Sequence, residues 1–174
     1  MEFEKIINNR RSVRTFTSQK LSEHQISELK SAVLKVPSAK AIFPWRFYFI
    51  TNEKKIETLS RLKPNGASFI QKAPLIVVAC ADTSLSDMWI EDCSIASTYL
   101  LLKAVDLGLG ACWVQVRNRQ HDDKMSARRF MMEHLDIPES YGICCVIAIG
   151  YAENESEPHN DKRDKLSYKI VDIQ

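Results

Sequence analysis

Hydrophobic and polar positions along this chain alternate between helical spacing and short, continuous apolar runs. Apolar residues at helical spacing follow the S-x-x-Q capping pattern that starts at Ser22 and stop before Pro37, which predicts a helix between them. Apolar runs predict buried strands at residues 75–81 and 143–149, and residues 111–116 predict another strand. The aromatic-rich segment at residues 45–50 predicts one more strand.

Further helices are predicted at residues 53–62, 88–107 and 123–135. The helix over 88–107 is apolar nearly all round, so we expect it to be central and buried, with Gly108 closing it. His121-Asp122-Asp123 is interpreted as the N-terminal cap of the helix starting near residue 123 rather than as an acid–base group. Strands buried on both faces between helices predict a single layered α/β/α domain over residues 1–174.

Composition excludes several classes of protein. With 174 residues, 45% of them hydrophobic, and a net charge of +2, the chain is typical of a globular domain and too weakly basic to suggest nucleic-acid binding. No apolar run approaches the ~20 residues that span a bilayer, and the N-terminus does not resemble a signal peptide, so we expect a cytoplasmic protein with no membrane contact. The five cysteines show no C-x-x-C spacing and are interpreted as core thiols, and no metal-ligand spacing is visible.

The segment Arg10-Arg11-Ser12-Val13-Arg14-Thr15-Phe16 gathers three guanidinium groups and a hydroxyl. In an extended backbone Ser12 and Arg14 share one face, while Val13 and Phe16 can anchor the segment against a core. Because a guanidinium presents paired donors and a permanent charge, this face suits a phosphate. A solvated basic surface is the alternative interpretation.

The remaining motifs offer no acid–base or phosphate-loop chemistry. Gly108-Leu109-Gly110 follows a predicted helix and precedes a strand, the reverse of a dinucleotide-binding loop, so it is interpreted as a helix end. No nucleophile–base pair stands out, and no catalytic residue is predicted. This favours a protein whose bound cofactor carries the chemistry.

Segments in the same order along nearly the whole chain resemble the FMN-dependent nitroreductase family. Arg10 to Phe16 resembles the R-R-S-x-R-x-F opening of that family, and Pro37-Ser38-Ala39-Lys40-Ala41-Ile42-Phe43-Pro44-Trp45-Arg46-Phe47 resembles its P-S-x-x-N-x-Q-P-W-x-F loop. Residues 89–96 and 107–115 are similar to its central helix and the following strand, and Ile137-Pro138 with residues 147–151 match its closing segment.

The resemblance implies an α+β fold, three-layer α/β/α, with a mixed, largely antiparallel central sheet. It also implies an intertwined homodimer with FMN sites at the interface and a C-terminal tail wrapped around the partner. The implied FMN contacts are Arg10, Arg11, Ser12 and Arg14 at the phosphate and the polar ring edge, Trp113, Val114 and Gln115 along the isoalloxazine, and Pro37, Ser38, Ala39 and Lys40 reaching the FMN of the partner. In the tail, Lys162, Arg163 and Lys165 are candidates for the phosphate, with Arg163 favoured.

Two positions depart from the family pattern, since Ala41 and Phe43 stand where Asn and Gln are frequent. A flavin-facing amide is thereby lost, so contacts from this loop would rest on its backbone and Lys40. Trp45 and Trp89 are interpreted as core residues, and Trp113 as either core or ligand contact. Arg117-Asn118-Arg119 is interpreted as a solvated loop, or alternatively as a site for the phosphates of the nicotinamide cofactor.

The function implied by the resemblance is NADH- or NADPH-dependent reduction of a small electrophile such as a nitroaromatic, quinone or enone. Hydride transfer would follow a ping-pong scheme over one flavin face, with a backbone N–H near Gln115 donating to flavin N5 and protons supplied by water. Three alternatives stay open: a narrower FMN reductase such as a dehalogenase, a flavin-binding or sensing protein with little turnover, and a basic interaction module without cofactor.

Overall fold

A four-stranded sheet in the order β1-β2-β4-β3 organises the chain, and each of its three pairings is antiparallel. This computed structural model describes residues 1–154, 157–159 and 169–171. The strands are β1 (Trp45–Ile50), β2 (Leu75–Asp82), β3 (Gly110–Gln115) and β4 (Tyr141–Gly150). The helices are α1 (Phe3–Asn9), α2 (Glu23–Val33), α3 (Glu53–Leu59), α4 (Trp89–Asp106) and α5 (Ala127–Leu135), with short 3₁₀ turns at Ala39–Ala41 and Ser68–Lys72.

The α+β class and the four predicted strands are confirmed, each strand within two residues of its expected bounds. The capping pattern at the start of α2 is confirmed as well: the Ser22 side chain accepts from the backbone of Gln25, and the Gln25 side chain returns to the backbone of Ser22. Gly108 adopts φ of 73°, as expected for the residue that closes α4. Among the described residues, the parallel element of the sheet is a single bridge between Ser12 and Ala111.

The prediction for the start of α5 was wrong. The helix begins at Ala127, and its N-cap is Ser126, whose side chain accepts from the backbone of Arg129. The Asp122 carboxylate instead accepts from the N–H groups of Lys124 and Met125 and closes a turn before the helix. The interpretation of residues 121–123 as the helix cap was therefore wrong, because a local side-chain turn competes with helix initiation there.

Two helices end earlier than predicted. Helix α3 stops at Leu59 rather than residue 62, and the chain continues in tight turns in which Arg61 N–H donates to the Thr58 carbonyl. Helix α2 stops at Val33, four residues before Pro37.

Two apolar layers form on opposite faces of the sheet. One layer joins α3 and α5 to alternate residues of β2 and β4, and the other joins α2 and α4 to the intervening residues. Because both faces are covered, β2 and β4 are buried along nearly their whole length. All five cysteines are free and buried, which confirms them as core thiols.

Strand β3 forms one margin of the sheet, and the segment after α1 runs along the first half of that margin. The Val13 N–H donates to the Ala111 carbonyl at 3.1 Å. A Cβ at Gly110 would come within 2.8 Å of the Val13 side chain, so the close approach of this segment requires glycine. Phe16 is buried in the core and bridges to Ala152.

Candidate functional site

The second half of β3 leaves backbone donors facing outward. The Ala111 carbonyl accepts from the Val13 N–H, so the N–H and carbonyl groups of Ala111 face away from β4. In an antiparallel pair this orientation repeats at every second residue. The N–H and carbonyl groups of Trp113 and Gln115 therefore also face away from β4. Among the described residues no further strand covers this edge. An uncovered strand edge is a row of ready hydrogen-bond donors and acceptors.

Side-chain contacts hold this end of β3 in one conformation. The indole Nε1 of Trp113 donates to Oε1 of Gln115 at 2.9 Å, and Nε2 of Gln115 donates to the carbonyl of Arg117 at 3.1 Å. Both polar atoms of the Gln115 amide are therefore engaged inside the chain. The part of Gln115 that remains available to a ligand is its backbone N–H.

The arginine-rich segment lies beside this edge with the orientation expected from its sequence. Ser12 and Arg14 are exposed, whereas Val13 packs against the core and Phe16 is buried. The Arg14 guanidinium lies 6.0 Å from the centre of the Phe69 ring. The Phe69 ring therefore lies beside the Arg14 guanidinium, and the Arg14 side chain remains exposed.

The neighbouring arginines hold part of the C-terminal segment. Nη1 of Arg11 donates to the carbonyl of Glu157 at 3.0 Å, and Nη2 of Arg10 lies 3.3 Å from Nε2 of His159. The backbone of His159 in turn donates to the carbonyl of Asn8. Lys162, Arg163 and Lys165, the basic residues predicted at the phosphate, lie outside the described residues.

Arg10, Arg14 and Lys63 lie near Cys112 of β3, and Arg119 lies near Lys63; these four cations are here termed the cation cluster. The buried Cys112 lies among them: burial raises the pKa of its thiol, while Arg14, Ser12, Arg10 and Lys63 oppose the rise. Burial, and then the charge of Arg119, lowers the pKa of Lys63. Within the described part of the chain, none of the four forms an ion pair with a carboxylate. Among the described residues, the positive charge of the cluster therefore has no carboxylate partner.

The loop over residues 37–43, here termed the anchored loop, is held by a buried carboxylate. Asp92, 2% exposed in the first turn of α4, accepts from the Ser38 hydroxyl at 2.7 Å and from the Ala39 N–H at 2.9 Å. The Ser38 oxygen also accepts from the Phe43 N–H at 2.9 Å. The polar groups of Ser38 are therefore used within the chain, and Lys40 extends from the loop into solvent.

The anchored loop carries backbone strain. Lys40, Ala41 and Phe43 have φ of 52°, 56° and 52°, in the left-handed region. This conformation costs an ordinary residue with a side chain about 1–2 kcal/mol. Such strain persists only where surrounding contacts impose it, and here the Asp92 contacts do so.

The predicted site residues therefore fall into two groups. Arg10, Arg11, Ser12 and Arg14 lie along the margin formed by Trp113, Val114 and Gln115, whereas Pro37, Ser38, Ala39 and Lys40 lie at the N-terminal end of α4. No hydrogen bond or ion pair joins the two groups within the described residues. Trp45 and Trp89 are half-buried and pack against the core, as expected.

Sequence reasoning missed Lys63 and Asp92. Lys63 precedes a Pro-Asn-Gly turn and carries no local sign that the fold places it near Arg14, far away in sequence. Asp92 had a weak signal, since it is an acidic residue within a helix that is apolar nearly all round. Arg119 had been interpreted with its neighbours as a solvated loop or a nucleotide-phosphate site.

A cavity of about 840 Å³ lies away from the β3 edge, between residues 16–21 and α3. Its Lys20 is paired with Glu53, so its charges are partly compensated. The described residues contain no cluster of histidine, cysteine or carboxylate side chains suited to a metal ion, and no helix long and apolar enough to cross a membrane.

Comparison with known proteins gives one consistent result. The family model described as "Putative TM nitroreductase" matches residues 2–173. A protein of Archaeoglobus fulgidus named "Putative NADH dehydrogenase/NAD(P)H nitroreductase" is 33% identical over 157 residues, which cover 88% of this chain and 87% of that protein. A protein of the same name from Methanothermobacter thermautotrophicus is 35% identical over 158 residues, covering 88% of this chain and 80% of that protein.

A solved structure is similar over almost the whole chain. It is described as an "FMN-dependent Nitroreductase" from Clostridium difficile R20291, with a TM-score of 0.92 and 37% sequence identity. The alignment covers 97% of this chain and 96% of that one. The antiparallel sheet and its helical layers are thus a nitroreductase-type fold.

Proposed function

This chain belongs to the nitroreductase family, and on that basis we propose that it is an FMN-dependent NAD(P)H oxidoreductase that reduces small electrophiles. The observation that carries the proposal is the open edge of β3 bordered by the uncompensated cation cluster. An anionic ligand that is also flat and hydrogen-bonding matches both features. The relatives named as NAD(P)H nitroreductases and the neighbour named as FMN-dependent support the same reading.

The residues present fit FMN. Arg10, Ser12 and Arg14 would hold its phosphate and the polar edge of its ring, because charge-assisted hydrogen bonds to guanidinium groups are among the strongest that a protein offers. The outward N–H of Gln115 would donate to the ring at the β3 edge. Arg11, next to them, would add positive charge, and among the tail residues we propose Arg163 and Lys165 for the same role.

When bound, FMN supplies two-electron chemistry, taking hydride from NADH or NADPH and passing it to the acceptor in the two half-reactions of a ping-pong cycle. The chain contributes binding, orientation and electrostatics. Positive charge at the ring edge would favour acceptance of hydride, and Trp113 and Val114 would hold the strand beside the ring. The proposed acceptors are nitroaromatics, quinones or enones, with water as the source of protons.

We also propose a homodimer in which residues 37–40 reach the cofactor of the partner. Support comes from exposed apolar side chains on two neighbouring helices: Phe3 and Ile7 of α1 are 67% and 46% exposed, and Ile95 and Tyr99 of α4 are 39% and 41% exposed. An apolar patch of this kind on a folded domain marks an interaction surface. Since Ser38 is fully engaged by its own chain, the partner-facing contacts of the loop would come from its backbone and Lys40.

The deciding experiment is the visible absorption spectrum of freshly purified protein before and after anaerobic addition of NADH or NADPH. A flavin spectrum that bleaches is expected. A flavin spectrum that neither nucleotide bleaches would favour a binding or sensing protein. Colourless protein that ignores added FMN would reject the proposal.

Arg14→Ala tests the proposed residues. Loss of its charged contacts should raise the Kd for FMN about 10- to 100-fold, measured by flavin fluorescence titration. Arg129→Ala is the matched control, because Arg129 is exposed on α5, is not a member of the cation cluster and pairs with Glu133 and Glu139. Equal flavin content in the two variants would remove Arg14 from the site.

A further inference from the structure

A cavity of about 460 Å³ opens where β3 ends; it shares Arg119 with the cation cluster and contains none of the other residues proposed to hold FMN. Its volume lies within the range of about 300–1,000 Å³ typical of small-molecule sites. Main-chain continuity ties it to β3, because Val116 and Arg117 follow Gln115 directly and the Gln115 amide donates to the Arg117 carbonyl. Its lining includes Trp89, Ile90, Arg117, Arg119, Arg128 and Tyr141.

The described residues of the lining are positively charged and include no carboxylate. Its guanidinium groups are those of Arg117, Arg119 and Arg128. Arg128 is held in place, since its Nε donates to the Tyr141 carbonyl at 2.9 Å and its Nη2 donates to the Glu139 carbonyl. Its charge remains, because neither carbonyl neutralises it.

Among the three arginines of the cavity, Arg117 gives the clearest indication of a bound ligand. Its side chain is half-buried, yet in the described part of the chain it forms neither an ion pair nor a hydrogen bond. A guanidinium that has no anionic partner among the described residues is available to an anion from outside the chain. Arg119 reaches the same cavity from the other side of Asn118, which has φ of 57° and turns the loop between them.

We propose that this cavity binds the 2′-phosphate of NADPH and makes the protein select NADPH over NADH; this rests on the proposed function. NADPH differs from NADH by that phosphate, and arginine is the residue that elsewhere accommodates it. A dinucleotide whose nicotinamide lies at the β3 edge can extend past Gln115 into this space. Trp89 and Ile90, which are half-buried, supply apolar surface for the attached nucleoside.

The first test measures binding without turnover. Isothermal titration of the purified protein with adenosine 2′,5′-bisphosphate and with 5′-AMP should show at least tenfold tighter binding of the bisphosphate. Arg117→Gln should remove that preference. Arg129→Gln is the matched control, because Arg129 lies on α5 outside the cavity and pairs with Glu133 and Glu139. Equal affinity for the two ligands, or a preference that Arg117→Gln leaves intact, would overturn the proposal.

The second test uses the loaded protein. The ratio of kcat/KM for NADPH to kcat/KM for NADH should fall about tenfold in Arg117→Gln and should keep its parent value in the control Arg129→Gln. An equal rise in both KM values, or a change confined to an anionic acceptor such as 4-nitrobenzoate, would contradict NADPH recognition. If neither nucleotide bleaches the protein, the proposed function fails, while the bisphosphate titration still reports on the cavity.

Discussion

The anchored loop and the cation cluster were both expected to contact a cofactor, and the structure gives them opposite electrostatic characters. In the loop, the Asp92 carboxylate accepts from Ser38 and Ala39, so its charge is matched inside the chain. In the cluster, Arg14 and Lys63 have no carboxylate partner within the described residues. Polar groups satisfied by the chain itself hold the fold, and charges left unsatisfied are those available to a ligand.

Removing a charged side chain changes the free energy of unfolding in opposite directions in the two regions. Removing a buried carboxylate leaves its donors without a partner, which costs the full desolvation of those groups. Removing one of several like charges relieves repulsion and burial cost while weakening anion binding. Substitutions in the two regions therefore distinguish a structural contact from a binding contact.

Asp92→Ala should produce the largest loss of stability. It strands the Ser38 hydroxyl and the Ala39 N–H, and charged hydrogen bonds of this kind are worth about 1.5–3 kcal/mol each, so we expect a loss of about 3 kcal/mol in the free energy of unfolding. For a chain of this length that corresponds to a fall in Tm of about 6–12 °C. Urea denaturation at fixed protein concentration measures it.

Glu91→Ala is the matched control for that experiment. Glu91 is the preceding residue of the same helix turn and is exposed, so its loss should change the free energy of unfolding by less than about 0.5 kcal/mol. If Asp92→Ala costs no more than Glu91→Ala, the carboxylate does not hold the loop and the comparison fails.

The sequence predicted the core elements well because their signals are local. Continuous apolar runs located β2 and β4, and the capping pattern at Ser22 located the start of α2. The start of α5 was missed because Asp122 makes a turn that the apolar spacing does not report. Alternation also fails at Cys144 and Cys145: both lie in the α4-side core, since a register shift in the β2–β4 pairing places an extra residue there.

The site was predictable only where one segment carried the chemistry. Extended geometry places Ser12 and Arg14 on the same face, and in the structure both side chains are exposed. The grouping of Lys63 with Arg14 depends on the tertiary fold, so no spacing in the sequence reports it. Asp92 depends on how α4 meets the loop, which residue type alone does not show.

Ala41→Asn sharpens the comparison from the side of the loop. Ala41 has φ of 56°, and the family pattern places Asn at this position. Asn tolerates the left-handed region better than Ala, so the variant should gain about 0.5–1 kcal/mol of stability, part of the roughly 1–2 kcal/mol that an ordinary side chain pays there. Ala41→Val should lose stability, because a β-branched residue is disfavoured there. Equal melting temperatures for all three proteins would show that the loop is not strained.

Lys63→Met should give the smallest effect on stability, and with the opposite sign to Asp92→Ala. It removes an uncompensated charge, so Tm without FMN should rise by about 1–2 °C. The Kd for FMN should rise about tenfold, since one cation of the cluster is lost. Lys55→Met, on the exposed face of α3, should change neither quantity.

The pH dependence of the stability gained by Lys63→Met tests whether the charge of Lys63 is the cause. Burial first, and Arg119 second, lowers the pKa of Lys63, so folding favours the neutral amine and the charge costs stability at neutral pH. That cost disappears as the pH rises through the lowered pKa toward the ordinary value of 10.5. The stability of Lys63→Met relative to the parent protein should therefore be greatest near pH 7 and fall toward zero above about pH 10. A variant less stable than the parent at pH 7 would mean that Lys63 stabilises the fold, and the cation cluster would then be structural, like the anchored loop.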